Sequence, residues 1–99
     1  MLNIIKEHNG EELIIKLAGR LDTSSALKLD KEVKSSLEGV KSLVFDFSDM
    51  IYISSAGLRI MLYCHKVMKT QGAMVIRNTS EDVKEIFKAT GFADVFHIE

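Results

Sequence analysis

Two adjacent hydroxyl residues, Ser54 and Ser55, are followed by two of the smallest residues, Ala56 and Gly57, within the stretch DMIYISSAGLRIML. An apolar, strand-like run precedes them and an apolar, helix-like run follows. A serine at such a junction has three chemical uses. It caps the helix by accepting a backbone N–H, it acts as a nucleophile beside a base, or it accepts a phosphoryl group. If the strand ends near Phe47 and the helix starts near Ser55, both serines lie where unpaired N–H groups and the helix dipole favour negative charge.

The nucleophile reading finds little support. ISSAGL lacks the Gly-x-Ser-x-Gly spacing of a nucleophile elbow, none of His8, His65 and His97 is marked out as its base, and no Gly-rich phosphate loop with Lys is present. An enzyme is not expected. The three histidines are far apart, and the single cysteine, Cys64, forms neither an internal disulfide nor a cysteine-based zinc site, so no metal and no cofactor are expected. Asp22, Asp46 and Asp49 carry no ligand pattern; Asp22 reads as an N-cap and Asp49 as a turn residue. Met61, Met68 and Met74 read as core filling.

Ninety-nine positions are enough for a single domain, 1–99, with one core. The chain is 46% hydrophobic with five Phe, two Tyr and no Trp, so aliphatic side chains are expected to fill that core. Thirteen Lys and Arg against fourteen Asp and Glu give a net charge of -1 with no block of like charge, which argues against general attraction to nucleic acid or anionic lipid. No apolar run has the length of a membrane span, so no membrane insertion is expected. The first residues show no basic-then-apolar leader, and with a lone cysteine this points to the cytoplasm.

The elements that would position the serines follow from periodicity. Asn3 to Glu7 and Glu12 to Ala18 read as a hairpin joined around HNG, since Asn9 and Gly10 tolerate positive φ. A helix follows with Ala26, Leu29, Val33 and Leu37 on one stripe, Thr23, Ser24 or Ser25 available as caps beside the Asp22 alternative, and Gly39 beyond its end. SLVFDFS, from Ser42 to Ser48, reads as a central strand, and a long helix runs from about Ser55 to Thr70. Ile60, Met61, Cys64, Val67 and Met68 share its apolar face, widened by Leu58 and Leu62, while Arg59, Tyr63, Lys66 and Thr70 form a narrow polar stripe. GAMVIRN reads as a strand, Ser80 opens a third helix that stops at Gly91, and ADVFHIE reads as a last short strand. The order β, β, α, β, α, β, α, β predicts an α/β fold: a mixed sheet of about four to five strands with helices on one face.

Three blocks, GRLDTSSA at Gly19 to Ala26, LVFDFSDMIYISSAGLRIML at Leu43 to Leu62, and VKEIFKATGF at Val83 to Phe92, resemble in order and spacing the STAS domain of bacterial anti-sigma factor antagonists. The likeness spans nearly the whole chain, and the central block is the specific one. It implies a STAS-like sheet with helices on one side and a protein that, when unphosphorylated, captures an anti-sigma factor with ATP-dependent serine kinase activity and so frees a sigma factor. Phosphorylation of a serine at the start of the second helix reverses the capture, and a serine phosphatase restores it.

Gly57 and Leu58 set the register of that motif, so the resemblance implies Ser55 as the phosphoacceptor. Ser54 stands where many members carry Asp, which makes it a second acceptor candidate. The implied partner surface is Asp22, Ser54, Ser55, Ala56, Gly57, Leu58 and Arg59, small and weakly polar until a phosphate adds bulk and charge, with Asp22 near the serine. Members usually continue into a further helix past the last strand, whereas this sequence stops at Glu99, an arrangement expected to leave apolar surface for a partner or a second copy. Similar domains also act as non-switching scaffolds or as small subunits of membrane-transport complexes, which is the alternative function.

Overall fold

The computed structural model describes residues 2–99. Its elements are β1 (Leu2–Asn9), β2 (Glu12–Leu21), α1 (Thr23–Lys34), β3 (Ser42–Ile53), α2 (Ser55–Lys69), β4 (Ala73–Arg77), α3 (Glu81–Ala89) and a 3-10 turn at Phe92–Asp94. The strands form one mixed sheet in the order β1-β2-β3-β4. β1 and β2 are antiparallel, whereas β2–β3 and β3–β4 are parallel pairs connected by the α1 and α2 crossovers.

The opening hairpin forms, but its turn is displaced by one residue from the sequence reading. Asn9 pairs with Glu12, so the two loop residues are Gly10 and Glu11, and only Gly10 has a positive φ, at 64°. That is the position at which a type II′ turn requires glycine.

Alternation along the strands separates two faces. Leu13, Ile15 and Leu17 of β2, Leu43, Phe45 and Phe47 of β3, and Ile76 of β4 point into one core cluster with Ala26, Leu29 and Val33 of α1, Met61, Cys64 and Met68 of α2, and Val83 and Phe87 of α3. All three helices therefore cover the same face. On the opposite face the register aligns Ile14, Val44 and Val75 in one row and Lys16, Asp46 and Arg77 in the next. At the free edge, Lys6 of β1 reaches α1, with its Nζ 2.7 Å from Glu32 and 3.0 Å from Ser36.

The core is aliphatic under α1 and α2, but the phenylalanines are concentrated rather than scattered. All five form one connected chain, Phe45 to Phe47 to Phe87 to Phe96 to Phe92, with ring centroids 5.3 to 6.4 Å apart, tying α3 and the C-terminal segment to β3.

Three boundaries depart from the periodic reading. α1 ends at Lys34, and Leu37 is buried in the connection that follows, where the Gln71 amide donates to the carbonyls of Leu37 and Val40 at 2.7 Å each. β3 runs on to Ile53 because register shifts near Ala18 and Gly19 let the two strands stay paired past Ser48, which places Asp49 opposite Ala18 in the strand rather than in a turn. The expected strand ADVFHIE is not formed. Stacking of Phe92 on Phe96 curls that segment into the 3-10 turn, and only Ile98 makes a single parallel bridge to Ile76.

Candidate partner-docking site

Leu21 and Ile53, the last paired residues of β2 and β3, bring the start of α1 beside the start of α2, and the Ser54 N–H donates to the Leu21 carbonyl at 2.8 Å. The extension of β3 thus decides which serine does what. Ser54 is the N-cap of α2: its backbone is extended, its side chain is half-buried, and its Oγ accepts the Gly57 N–H at 3.3 Å. Ser55 is the first helical residue and its side chain is exposed. The two adjacent hydroxyls have different environments, one held by the backbone and one open to solvent.

The next four residues divide between surface and interior. Ala56 is half-buried and Arg59 exposed, whereas Gly57 is buried and Leu58 only 3% exposed. Gly57 and Leu58 therefore shape the surface from beneath. A Cβ on Gly57 would stand 2.6 Å from Leu21 Cγ and 2.9 Å from Ile53 Cγ1, both in fully packed side chains. Gly57→Ala is expected to lower stability by about 1–2 kcal/mol, overpacking outweighing the helix preference for alanine, a Tm loss of roughly 5–10 °C. Thermal melts of the two proteins check this; an unchanged Tm would show that Leu21 and Ile53 yield without cost.

Asp22 caps α1. Its carboxylate accepts the Ser25 N–H at 2.9 Å and the Ser25 and Ser24 hydroxyls at 2.9 and 3.0 Å, while its own N–H donates to Ser25 Oγ at 2.9 Å. The capping box selects Asp22 over Thr23, Ser24 and Ser25 as the cap, and it commits the carboxylate to α1. Those bonds, led by the Ser25 N–H, lower its pKa from 3.8 to about 2. Between these values the unfolded chain binds the proton more readily, so acid favours unfolding there. Wild type is expected to melt above Asp22→Asn near neutral pH, because Asn caps without the charge, and the gap is expected to close as the pH falls through 3.8 towards about 2. Melts between about pH 6 and pH 2 read this directly, and a gap independent of pH would remove the charge from the cap's contribution.

Asp46 is occupied elsewhere. It accepts the Ser48 N–H at 3.0 Å and the Asn78 amide at 3.1 Å, where β3 and β4 diverge. Burial pushes its carboxyl up, but these bonds outweigh that and leave it below the ordinary value. Cys64 is buried, and desolvation pushes its thiol up to about 12, so it is an inert part of the core. Met61 and Met68 are likewise core residues.

Between α1 and α2 lies a groove of about 350 Å³, which Thr23 lines at the start of α1 and Ala56, the residue after Ser55, at the start of α2. Ala26, Leu27, Ala56 and Ile60 supply its apolar lining, with Asp30 and Arg59 at its sides. Leu27 is 69% exposed and was missed by the sequence reading, which followed the buried stripe of α1; its one available signal is that it is a leucine off that stripe. Among the described residues no group of three or more His, Cys, Asp or Glu could hold a metal ion, and no helix is long and apolar enough to cross a membrane.

The sheet order, the one-sided helical layer and the serine turn at the head of α2 together describe a small α/β domain with one mixed four-stranded sheet. Residues 3–99 match the STAS domain, and the chain belongs to that family. Among its relatives is the candidate anti-sigma factor antagonist BtrV of Bordetella bronchiseptica, 33% identical over 88 residues, spanning 87% of this chain and 76% of that protein. The anti-sigma-B factor antagonist of Bacillus subtilis is 28% identical over 98 residues, 98% of this chain and 90% of that one. In fold, the chain is similar to the anti-sigma factor antagonist SpoIIAA in its unphosphorylated form, with a TM-score of 0.84 at 18% identity over 98% of this chain and 88% of the other. It is also similar to the phosphorylated form of SpoIIAA from Bacillus, with a TM-score of 0.76 at 17% identity over 98% and 91% of the two chains.

Proposed function

We propose that this protein is a cytoplasmic anti-sigma factor antagonist that captures an anti-sigma factor kinase through the head of α2 and the adjoining α1–α2 groove, and is switched off by phosphorylation of Ser55. The observation that carries the reading is the exposed Ser55 at the first position of α2, next in the chain to Ala56 of the groove lining, in a chain whose relatives are named as anti-sigma factor antagonists. In the transfer step Ser55 Oγ attacks the γ-phosphorus of ATP bound to the kinase, the bond to ADP breaks, and the hydroxyl proton passes to a base on the kinase. A serine phosphatase reverses the modification with water. The antagonist itself performs no catalysis.

Ser54 is the poorer acceptor. Its Oγ accepts the Gly57 N–H, and a kinase would have to open the cap to reach it. Asp22, Ala56, Arg59 and Leu27 complete the proposed docking face, with Gly57 and Leu58 supporting it. Paired baits test the proposal: wild type and Ser55→Asp are incubated with lysate of the source cells and the captured proteins are identified. An ATP-binding serine kinase held by wild type and lost with the Asp form supports it, whereas equal capture of scaffold or transport proteins by both overturns it.

A further inference from the structure

Arg59 lies four residues after Ser55 on the exposed stripe of α2, one turn further along the helix. Of the three arginines, Arg20 stacks 4.5 Å over Tyr52 and Arg77 lies 3.6 Å from Glu99. Among the described residues Arg59 has neither a carboxylate within 4 Å nor a ring beneath it. The first turn of α2 also carries no acidic residue, unlike that of α3 with Glu81 and Asp82. An acid four positions N-terminal to a base is the favourable orientation of a helical ion pair, and a guanidinium binds phosphate through two parallel N–H bonds.

We propose that Arg59 is the intramolecular receptor for a phosphate on Ser55, closing an ion pair over the first turn of α2. This rests on Ser55 being the phosphoacceptor. The pair draws the Arg59 guanidinium from the side of the α1–α2 groove towards the head of the helix, so that one modification alters the docking face at two points a turn apart. At Ser55 a hydroxyl becomes a bulky anion; at Arg59 a free cation that an acidic partner residue would use is neutralised. A carboxylate at position 55 is shorter and carries a single charge, so Ser55→Asp would reproduce only part of this state.

The test uses full-length protein with phosphoserine installed at position 55 by genetic encoding, which needs no kinase. Phosphorus NMR follows the second ionisation of the phosphate, ordinarily near 6. The other charged groups on the elements packed beside α2 are Asp22, held by Ser24 and Ser25, Asp30, paired along α1 with Lys34 at 3.1 Å, and Arg20 over Tyr52. They are common to every variant and set the baseline. Wild type is expected to ionise about 0.4 pH unit below Arg59→Gln, with Arg59→Lys in between because an ammonium supplies charge without the fork. Phosphorylation should also raise the Tm of wild type more than that of Arg59→Gln. Equal ionisation in wild type and Arg59→Gln, with both folded by circular dichroism, would overturn the pair. Kinase labelling of unmodified protein, mapped by mass spectrometry, is scored separately: phosphate found away from Ser55 would overturn the acceptor reading even with the NMR shift intact.

Discussion

Ser55→Asp is expected to weaken binding of the anti-sigma factor kinase by about thirtyfold or more, corresponding to about 2 kcal/mol, whereas Ser55→Ala keeps wild-type affinity and accepts no phosphate. The asymmetry follows from what each side chain brings to a docked interface. Ser55 is the exposed first residue of α2 and does not cap it, so removing its hydroxyl leaves the Ser54–Gly57 bond and the helix intact. A carboxylate there must be stripped of water on docking, and any pairing with Arg59 withdraws that cation from the partner. Titration calorimetry with the purified kinase measures both variants. Equal affinities for wild type and Ser55→Asp would show that position 55 lies outside the interface.

The second large effect is on folding. Gly72→Ala is expected to destabilise by about 3 kcal/mol or more, a large part of the 5–15 kcal/mol that holds a typical domain together. A Cβ at this position would fall within the Lys41 carbonyl group, 2.6 Å from its carbon and 2.9 Å from Lys41 Cα. Unlike the Leu21 and Ile53 side chains around Gly57, this obstacle is backbone and cannot change rotamer. The same Lys41 carbonyl accepts the Ala73 N–H at 3.0 Å, just where Ser42 pairs with Ala73 to start the β3–β4 ladder. Relieving the clash therefore means opening the first rung of a parallel pair. Chemical denaturation is expected to show a lower midpoint with an unchanged slope, and a midpoint equal to wild type would mean that the α2–β4 connection moves freely.

Much of the architecture was legible in local pattern. The three-and-four spacing of Ala26, Leu29 and Val33, and of Ile60, Met61, Cys64 and Met68, marks two helices whose buried stripes are those observed. The near-continuous apolar run from Leu43 to Phe47 marks the central strand, and Asn9–Gly10 marks the hairpin to within one residue. Hydrophobic period reports local structure reliably because a residue's face on a helix or strand depends on chain geometry alone. The motif around Gly57 and Leu58 likewise carried the family resemblance without any coordinates.

What the linear order left open depends on pairing between distant segments. Either Ser54 or Ser55 suits a cap, and choosing between them requires knowing that β3 continues through its register shifts to Ile53 and hands Ser54 N–H to Leu21. The same pairing buries Gly57 against Leu21 and frees Ser55. Leu27 looks like any helical leucine until α1 and α2 are set side by side, and in place of the final strand a 3-10 turn forms with Phe92 stacked on Phe96 beside Phe87, leaving one bridge from Ile98 to Ile76. The sequence alone therefore determined the elements from β1 to α3, their order and the chemistry available at the serine turn. Tertiary structure decided which hydroxyl is held and which is offered, because that choice lies in backbone register between β2 and β3, over thirty residues apart in the chain.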